Sequence, residues 1–268
     1  MRKYIYILFY VFLWAMWYFA YPYFLIWLEG FSCFSTVPDF TTIYFDLPED
    51  IFRYMGAFLL QFYAHPAIGA AIQALLAVLF VLCVSSAVRR LFKESDGMLW
   101  IAFAVLPVYV YCQMSDPTLA WSLSMLVAAA AVALIVRIAT SAGKPFNKVP
   151  GVIRNGYVGL VFLTASAVTT FLVMTESKSM GHEYEDVVRL EYLAENSEWN
   201  EILETVSAQE AVGNEFKRRY VLLAMVQAGK LPDHAFRYGL SSSKDFMFYT
   251  IQEQLCLSFN VLFYRSLG

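Results

Sequence analysis

Acidic residues are concentrated between two apolar stretches near the amino terminus, in residues 29–65. Glu29 and Asp39 lie there among aromatic residues, and Asp116 follows a later apolar stretch. A carboxylate can act as a general base, or it can hold a metal ion that is bound to a phosphate. Arg53 and His65 lie in the same stretch, and their side chains can contact phosphate. These five residues are therefore the candidates for chemistry in the first two thirds of the chain.

Membrane glycosyltransferases that use lipid-linked sugars carry a carboxylate in their first outer loop. The chain resembles them in outline, because an acidic loop follows its first apolar segment and then returns to apolar sequence. The resemblance implies that Asp39 is the base, with Glu29 and Asp116 beside it and Arg53 or His65 at the phosphate. The acids do not have a diagnostic spacing, so this enzyme remains the alternative hypothesis.

The same residues also have a structural interpretation. Glu29 can end its helix at the water boundary, Glu49 and Asp50 can start the next helix, and Arg53 can pair with one of these two at helical spacing. His65 precedes Pro66, which favours a boundary between two helices over a ligand. Acidic residues are tolerated on the outer side of a membrane, where a loop is expected to be polar.

Other chemistries have little support in the sequence. The three histidines are His65, His182 and His234, which makes a histidine-based metal site improbable. Neither a phosphate-binding glycine-rich loop nor a nucleophile-elbow pattern is present. The acidic carboxyl-terminal part disfavours nucleic acid as a partner. We therefore expect no cofactor and no metal ion.

The composition indicates an integral membrane protein. Hydrophobic residues make up 59% of the chain and charged residues 15%, and the mean hydropathy is +0.54. Residues 1–175 hold ten Lys/Arg and eight Asp/Glu, whereas residues 176–268 hold nine and fourteen. This asymmetry predicts a transmembrane domain at 1–175 and a water-soluble tail at 176–268.

Apolar stretches of about 20 residues predict transmembrane helices. Five are expected, at about residues 4–28, 66–88, 98–114, 118–136 and 157–174. Residues 51–64 are too short for a crossing and have apolar residues at helical spacing, so we predict an interfacial helix there, with a full crossing as the alternative. Pro22 is expected to kink the outer end of the first span.

The basic residues predict the orientation. With five spans, nine of the ten Lys/Arg of residues 1–175 lie on one side, and Arg53 is the exception. Because Lys and Arg beside a span are retained in the cytoplasm, the amino terminus is expected inside and the tail outside. The expected location is the inner membrane of a bacterium, as a multi-pass protein in contact with the lipid bilayer.

The tail has the pattern of amphipathic helices. Apolar residues recur at helical spacing over 183–196 and from Trp199 onward, Asn214 is a candidate cap, and Gly229 is a candidate stop. Pro232 suits the first turn of a further helix. Lys217, Arg218 and Arg219 form a basic cluster, which we interpret as a solvated face or, alternatively, a partner contact.

The tail resembles tetratricopeptide-type helical repeats, most clearly over Tyr220–Tyr238. The whole chain also resembles an uncharacterised bacterial family of membrane proteins with an extracytoplasmic helical-repeat tail. The residues that carry this resemblance are Trp27-Leu28-Glu29, Phe62–Pro66 and the region Trp199–Gly229. The resemblance implies further repeats beyond this length, so the tail is expected to be incomplete.

Together these patterns predict an all-α fold, a polytopic helical membrane domain of about five spans with one interfacial helix, followed by a tetratricopeptide-like domain. Helical repeats present surfaces to peptides or folded partners. The favoured hypothesis is therefore a protein that binds a partner or assists envelope assembly outside the cytoplasm, rather than an enzyme. Trp199, Tyr220 and the basic cluster are the candidate contacts on the tail.

Overall fold

Helices make up most of the part of the chain that the structure describes. The computed structural model describes residues 2–37, 45, 50–91, 99–142, 156–176, 180–231, 235–242, 245 and 259–266, and no strand occurs in those ranges. The all-α prediction is confirmed for them. The chain divides into two compact units, Met1–Glu183 and Tyr184–Gly268.

The first unit is built of long apolar helices and one amphipathic helix. The helices are α1 (Arg2–Ala20), α2 (Pro22–Glu29), α3 (Asp50–Leu60), α4 (Pro66–Leu91), α5 (Leu99–Ala104), α6 (Leu106–Ser115), α7 (Ala120–Ala142) and α8 (Gly156–Glu176). A 3-10 turn, Gln61–Ala64, joins α3 to α4. The fully buried core contains large side chains from several of these helices, among them Leu13, Trp17, Phe24 and Tyr109.

The first apolar stretch is broken at Tyr21. The axes of α1 and α2 differ by 84°, which is far more than the kink expected at Pro22. Proline has no backbone N–H, so the carbonyl of Tyr18 loses its usual helical donor at this point. The stretch 4–28 is therefore two helices rather than the single predicted one.

Two side-chain hydrogen bonds show that α1 and α4 run antiparallel. The hydroxyl of Tyr6 donates to Oγ of Ser85 at 3.0 Å, and Nε1 of Trp14 donates to the carbonyl of Ala67 at 3.1 Å. The start of α1 is thus beside the end of α4. Arg89 and Arg90 lie in the last turn of α4, where positive charge is favourable to the helix dipole.

The predicted span 98–114 is also interrupted, at Val105 between α5 and α6. Pro107 lies in the first turn of α6 and cannot donate to the carbonyl of Phe103, four residues earlier. The hydroxyl of Ser166 on α8 donates to that carbonyl instead. A neighbouring helix thus satisfies a group that the proline leaves free, as apolar surroundings require.

Two helices of the described residues are long and apolar enough to cross a membrane, Pro66–Arg90 and Ala120–Ile138. The bent pair of α1 and α2 adds a third if it is counted as one broken span. Two further apolar helical segments of the described residues, Ala102–Ser115 and Leu163–Thr175, are 10–17 residues long.

The second unit consists of shorter helices. They are α9 (Met180–Glu195), which begins just before the unit, α10 (Trp199–Thr205), α11 (Ala208–Gly213), α12 (Glu215–Gln227), a 3-10 turn (Ala235–Tyr238) and α13 (Phe259–Ser266). The helix α12 packs against α10, α11, the 3-10 turn and α13. It is the central element of the unit, and Tyr220 to Ala224 are fully buried along it.

Local signals at the ends of α12 are confirmed. The side chain of Asn214 accepts hydrogen bonds from the N–H groups of Phe216 and Lys217, and Gly229 follows the helix with φ +67°. The N–H of Lys230 then donates to the carbonyl of Met225, which completes a glycine-terminated helix end. Pro232 lies outside the described residues.

Ser197 ends α9 in the same way without a glycine. Its φ is +60°, and the N–H groups of Ser197 and Glu198 donate to the carbonyls of Ala194 and Leu193. A left-handed conformation is costly for a residue with a Cβ atom, so sequence reasoning did not predict a turn of this kind here.

Candidate functional site

Aromatic side chains connect the loop after α2 to α3. The ring of Phe34 lies 4.8 Å from that of Tyr54 and 5.2 Å from that of Phe58. The hydroxyl of Tyr54 donates to the carbonyl of Ser35 at 3.0 Å, and the ring of Phe45 lies 5.1 Å from that of Tyr54. Aromatic pairs of this kind hold Phe34 and Phe45 against α3.

Arg53 is used at the start of α3. Its guanidinium lies 3.4 Å from the carboxylate of Asp50, three residues earlier, and Asp50 is buried whereas Arg53 is largely exposed. This is one of the two pairings predicted at helical spacing, and the other candidate partner, Glu49, lies outside the described residues. His65 has an extended backbone between the 3-10 turn and α4, is exposed, and accepts the N–H groups of Ile68 and Gly69 through its carbonyl. Both residues therefore have structural roles at helix boundaries.

Two of the three candidate acids can be compared with the enzyme hypothesis. Asp39, the candidate base, lies outside the described residues. Glu29 is the last residue of α2 and is half-buried, and the hydroxyl of Ser32 donates to its Oε1 at 3.4 Å. The structure thus places Glu29 at a helix end, where the structural interpretation expected it.

Asp116 is fully engaged by the turn between α6 and α7. Its Oδ1 accepts the N–H and the hydroxyl of Thr118 at 2.9 and 2.7 Å, and its Oδ2 accepts the N–H of Trp121 at 2.7 Å. A carboxylate that satisfies the free N–H groups at a helix start acts as a cap. Asp116 therefore organises the start of α7, a role that its position in the sequence did not reveal.

The same turn packs directly on α3. A Cβ atom added to Gly56 would lie 2.0 Å from the carbonyl oxygen of Thr118 and 3.5 Å from Cβ of Leu119. Leu119 has a φ of +58°, which is unusual for a residue with a branched side chain, and it is fully buried. Only glycine fits at this crossing, so α3 and the start of α7 meet backbone to backbone.

Several polar side chains of the first unit are buried. The hydroxyl of Tyr109 on α6 donates to the carbonyl of Ser122 on α7 at 3.0 Å. Tyr63, in the 3-10 turn, is also fully buried, and its hydroxyl has no hydrogen-bond partner among the described residues. Burial raises the pKa of Tyr63 far above its ordinary value, and nearby Tyr109 raises it further. The two phenols are therefore neighbours in an apolar environment.

Two glutamines extend this group of polar residues. Nε2 of Gln113 on α6 donates to the backbone carbonyl of Gln73 on α4 at 3.0 Å. Both side chains are fully buried, and the amide of Gln73 and Oε1 of Gln113 have no partner within the described ranges. Interhelical hydrogen bonds of this type link helices in apolar surroundings. The hydrogen bonds of Tyr109 and Gln113 thus connect α6 with α7 and with α4.

The basic cluster of the tail is enclosed rather than solvated. Nζ of Lys217 lies 2.8 Å from the carboxylate of Asp186, and the guanidinium of Arg219 pairs with Glu215. The side chains of Lys217, Arg218 and Arg219 are 17%, 19% and 8% exposed. The predicted solvated face is therefore wrong, because each positive charge has a carboxylate of the same unit beside it.

Arg218 and Asp245 form the most enclosed of these ion pairs. The guanidinium of Arg218 lies 3.0 Å from Oδ1 of Asp245, and both side chains are mostly buried. Burial alone raises the pKa of Asp245, but the N–H groups of Ser241 and Ser242, the hydroxyl of Ser241 and the charge of Arg218 together lower it. The pair therefore connects α12 to the segment that follows the 3-10 turn, with Asp245 charged.

The other predicted contacts of the tail differ in exposure. Trp199 is half-buried at the start of α10, whereas Tyr220 is fully buried and packs edge-on against Phe259 at 5.0 Å. Tyr220 therefore contributes to the core of the unit. Val212 on α11 and Phe236 in the adjacent 3-10 turn are 55% and 81% exposed, and sequence reasoning did not select them.

No group of three or more His, Cys, Asp or Glu side chains within metal-binding reach occurs in the described part of the chain. Its cysteines Cys33, Cys83 and Cys112 are free thiols.

Comparisons with known proteins add one match. The model of a family described as a family of unknown function, DUF6057, matches residues 1–180. This agrees with the resemblance to an uncharacterised family. No curated protein and no solved structure matches the chain.

Proposed function

The chain belongs to the DUF6057 family, whose function is unknown, and from its own residues we propose that it is a membrane protein that binds a protein partner through its tail. In this proposal five helical segments cross the inner membrane of a bacterium, with the amino terminus inside. Residues 176–268 lie outside the cytoplasm as a tetratricopeptide-like domain. Its partner is an extracytoplasmic protein of the cell envelope.

The exposure of α7 supports the membrane location. Only 11% of its apolar stretch is buried within the protein, and many of its large apolar side chains are exposed. They include Val127, Val132, Leu134, Ile135 and Ile138. Such a helix is stable in lipid, whereas water would leave its apolar surface uncovered.

Helix lengths support the count of five. The backbone of α8 is helical for 21 residues, or about 31 Å, and α5 with α6 covers residues 99–115 apart from the turn at Val105. Interrupted helices are tolerated in membranes where a neighbour satisfies the free carbonyl, as Ser166 does for Phe103.

The observation that carries the proposed binding is the pair of exposed apolar residues Val212 and Phe236. They lie on adjacent elements of a unit whose basic residues at 217–219 are paired internally. Aromatic residues dominate the energetic centres of protein interfaces, and a phenylalanine exposed by 81% gains most from being covered. The proposed contact is therefore apolar and centred on Phe236.

The glycosyltransferase-like alternative has less support. It needs Asp116 to face a substrate, whereas both carboxylate oxygens of Asp116 accept hydrogen bonds from its own turn.

Site-specific photocrosslinking in living cells tests the proposed binding. A photoreactive phenylalanine analogue at Phe236 should give a discrete crosslinked product of the full chain, because a contacting partner lies within reach of the ring. The same analogue at Gln209, an exposed position of α11, is the matched control. The proposed binding would be rejected if position 236 gave no crosslinked product beyond that of position 209. It would also be rejected if the substitution Phe236→Asp did not reduce the yield of a partner crosslinked at another position of the tail.

A further inference from the structure

An open groove lies along the last turns of α4. It has a volume of about 390 Å³ and is lined by Leu82, Ser85, Ser86, Arg89 and Arg90. This volume is within the range of roughly 300–1,000 Å³ that is typical of ligand sites. Leu82, the two serines and the two arginines follow one another at intervals of three to four residues. They therefore lie along one side of the helix.

The chemistry of this face changes along the helix axis. Leu82 and Arg90 are eight residues apart, which corresponds to about 12 Å of helix. Leu82 is apolar, the two serines carry hydroxyl groups, and the two arginines carry positive charge. A phospholipid has the same order of groups over a similar depth, from acyl chain to glycerol esters to phosphate.

Hydrogen bonding separates the roles of the two serines. Ser85 is buried, accepts the hydroxyl of Tyr6 and donates to the carbonyl of Leu82, so it forms part of the wall of the groove. Ser86 is exposed, and no hydrogen bond of its side chain occurs within the described ranges. Its hydroxyl is therefore available to an ester or phosphate oxygen.

The two arginines provide the charge that an anion requires. Both are exposed, and in the described part of the chain neither is paired with a carboxylate. Guanidinium groups bind phosphate oxygens in a bidentate geometry, and basic pockets at the ends of membrane helices bind anionic head groups. Arginines that only fixed the orientation of the helix would not require a groove between them.

We propose that an anionic phospholipid binds in this groove, with its phosphate between Arg89 and Arg90, its ester region at Ser86 and an acyl chain against Leu82. The site rests on the proposed membrane location of α4, but it is independent of any partner of the tail. Under the proposed orientation, the lipid belongs to the cytoplasmic leaflet.

Native mass spectrometry of the full chain in mild detergent tests this site. Titration with phosphatidylglycerol should give one retained lipid at concentrations where phosphatidylcholine gives none. Each arginine removed should weaken retention about fivefold, so Arg89→Gln with Arg90→Gln should weaken it roughly 25-fold. The matched control is Arg137→Gln, which removes an arginine near the carboxyl-terminal end of α7, outside the groove. It should leave retention of the lipid unchanged.

Ser86→Phe separates the groove from the charge, because it fills the space and leaves both arginines in place. It should lower retention of phosphatidylglycerol at least as strongly as the loss of one arginine. The site would be rejected if Ser86→Phe bound the lipid as well as the unaltered chain, or if Arg137→Gln weakened binding as much as the loss of one arginine of the groove. Resistance to alkaline carbonate extraction tests the membrane location separately for every variant.

Discussion

Gly56 of α3 lies against the backbone carbonyl of Thr118, so closely that a Cβ atom at position 56 would be 2.0 Å from that oxygen. Thr118 belongs to the turn that Asp116 holds in place. The amphipathic helix and the start of α7 are therefore fixed to each other through main-chain atoms, which have no alternative rotamers to adopt.

Gly56→Ala should destabilise the first unit because the new methyl group must push two backbone segments apart. Overpacking of this kind typically costs about 1–3 kcal/mol. Thermal unfolding of the full chain in detergent measures the loss. Gly213→Ala is the control, since a Cβ atom there meets nothing within 4 Å. Equal melting temperatures for the two variants would contradict the close crossing.

Asp116→Ala should destabilise the start of α7, because the N–H groups of Thr118 and Trp121 lose their acceptors. Loss of a helix cap costs about 0.5–2 kcal/mol. Asp116→Asn keeps one side-chain oxygen and should cost less, as measured by the same unfolding experiment. If Asp116 were instead a catalytic carboxylate, both variants would keep the stability of the unaltered chain and would lose activity.

Tyr109→Phe and Tyr63→Phe remove the same atom from two neighbouring buried rings and should have different effects. Tyr109 loses its hydrogen bond to the carbonyl of Ser122, at a cost of about 0.5–1.5 kcal/mol. Tyr63 loses no hydrogen bond that occurs in the described residues, so its replacement should be neutral or stabilising. If Tyr63→Phe were the more damaging change, Tyr63 would have to donate to a further group.

The tail should lose stability in acid through Asp245. Because the pKa of Asp245 is lowered in the folded state, its contribution is complete above the ordinary value of about 3.9 and disappears as the pH falls through the lowered pKa. A fluorine label on Trp199, the single tryptophan of the second unit, reports folding there by NMR. Asp245→Asn should flatten the pH dependence, whereas Glu204→Gln, an exposed change on α10, should not.

Reporter fusions test the proposed orientation. A reporter that is active only outside the cytoplasm should be active after Ser177 and inactive near Lys144, because five crossings place those positions on opposite sides. The reverse pattern would require a different number of crossings between them and the amino terminus.

Local signals in the sequence were sufficient where a residue acts on its own helix. Asn214 lies at the start of α12 and Gly229 just after its end, as predicted, and Arg53 pairs with Asp50 three residues away. Such roles depend on spacing along the chain, which the sequence displays directly.

Roles that depend on distant residues could not be predicted. Lys217 pairs with Asp186, 31 positions earlier, and Gly56 meets Thr118 although three other helices separate them in the sequence. The 84° turn at Tyr21 was underestimated, because proline indicates a break but neighbouring helices decide its angle. For Asp116, residue type was compatible with chemistry and with capping alike, and only the positions of three N–H and hydroxyl donors separate the two.

The turn at Tyr21 also affects the thickness of the bilayer that the first proposed transmembrane helix matches. The helix α1 is 19 residues long, or about 28 Å, which is close to the ~30 Å hydrocarbon core of a membrane. The eight residues of α2 would add about 12 Å if they continued the same rod, and that rod would be too long for the core. The position of Pro22, rather than the number of apolar residues, therefore sets the hydrophobic length of the first crossing.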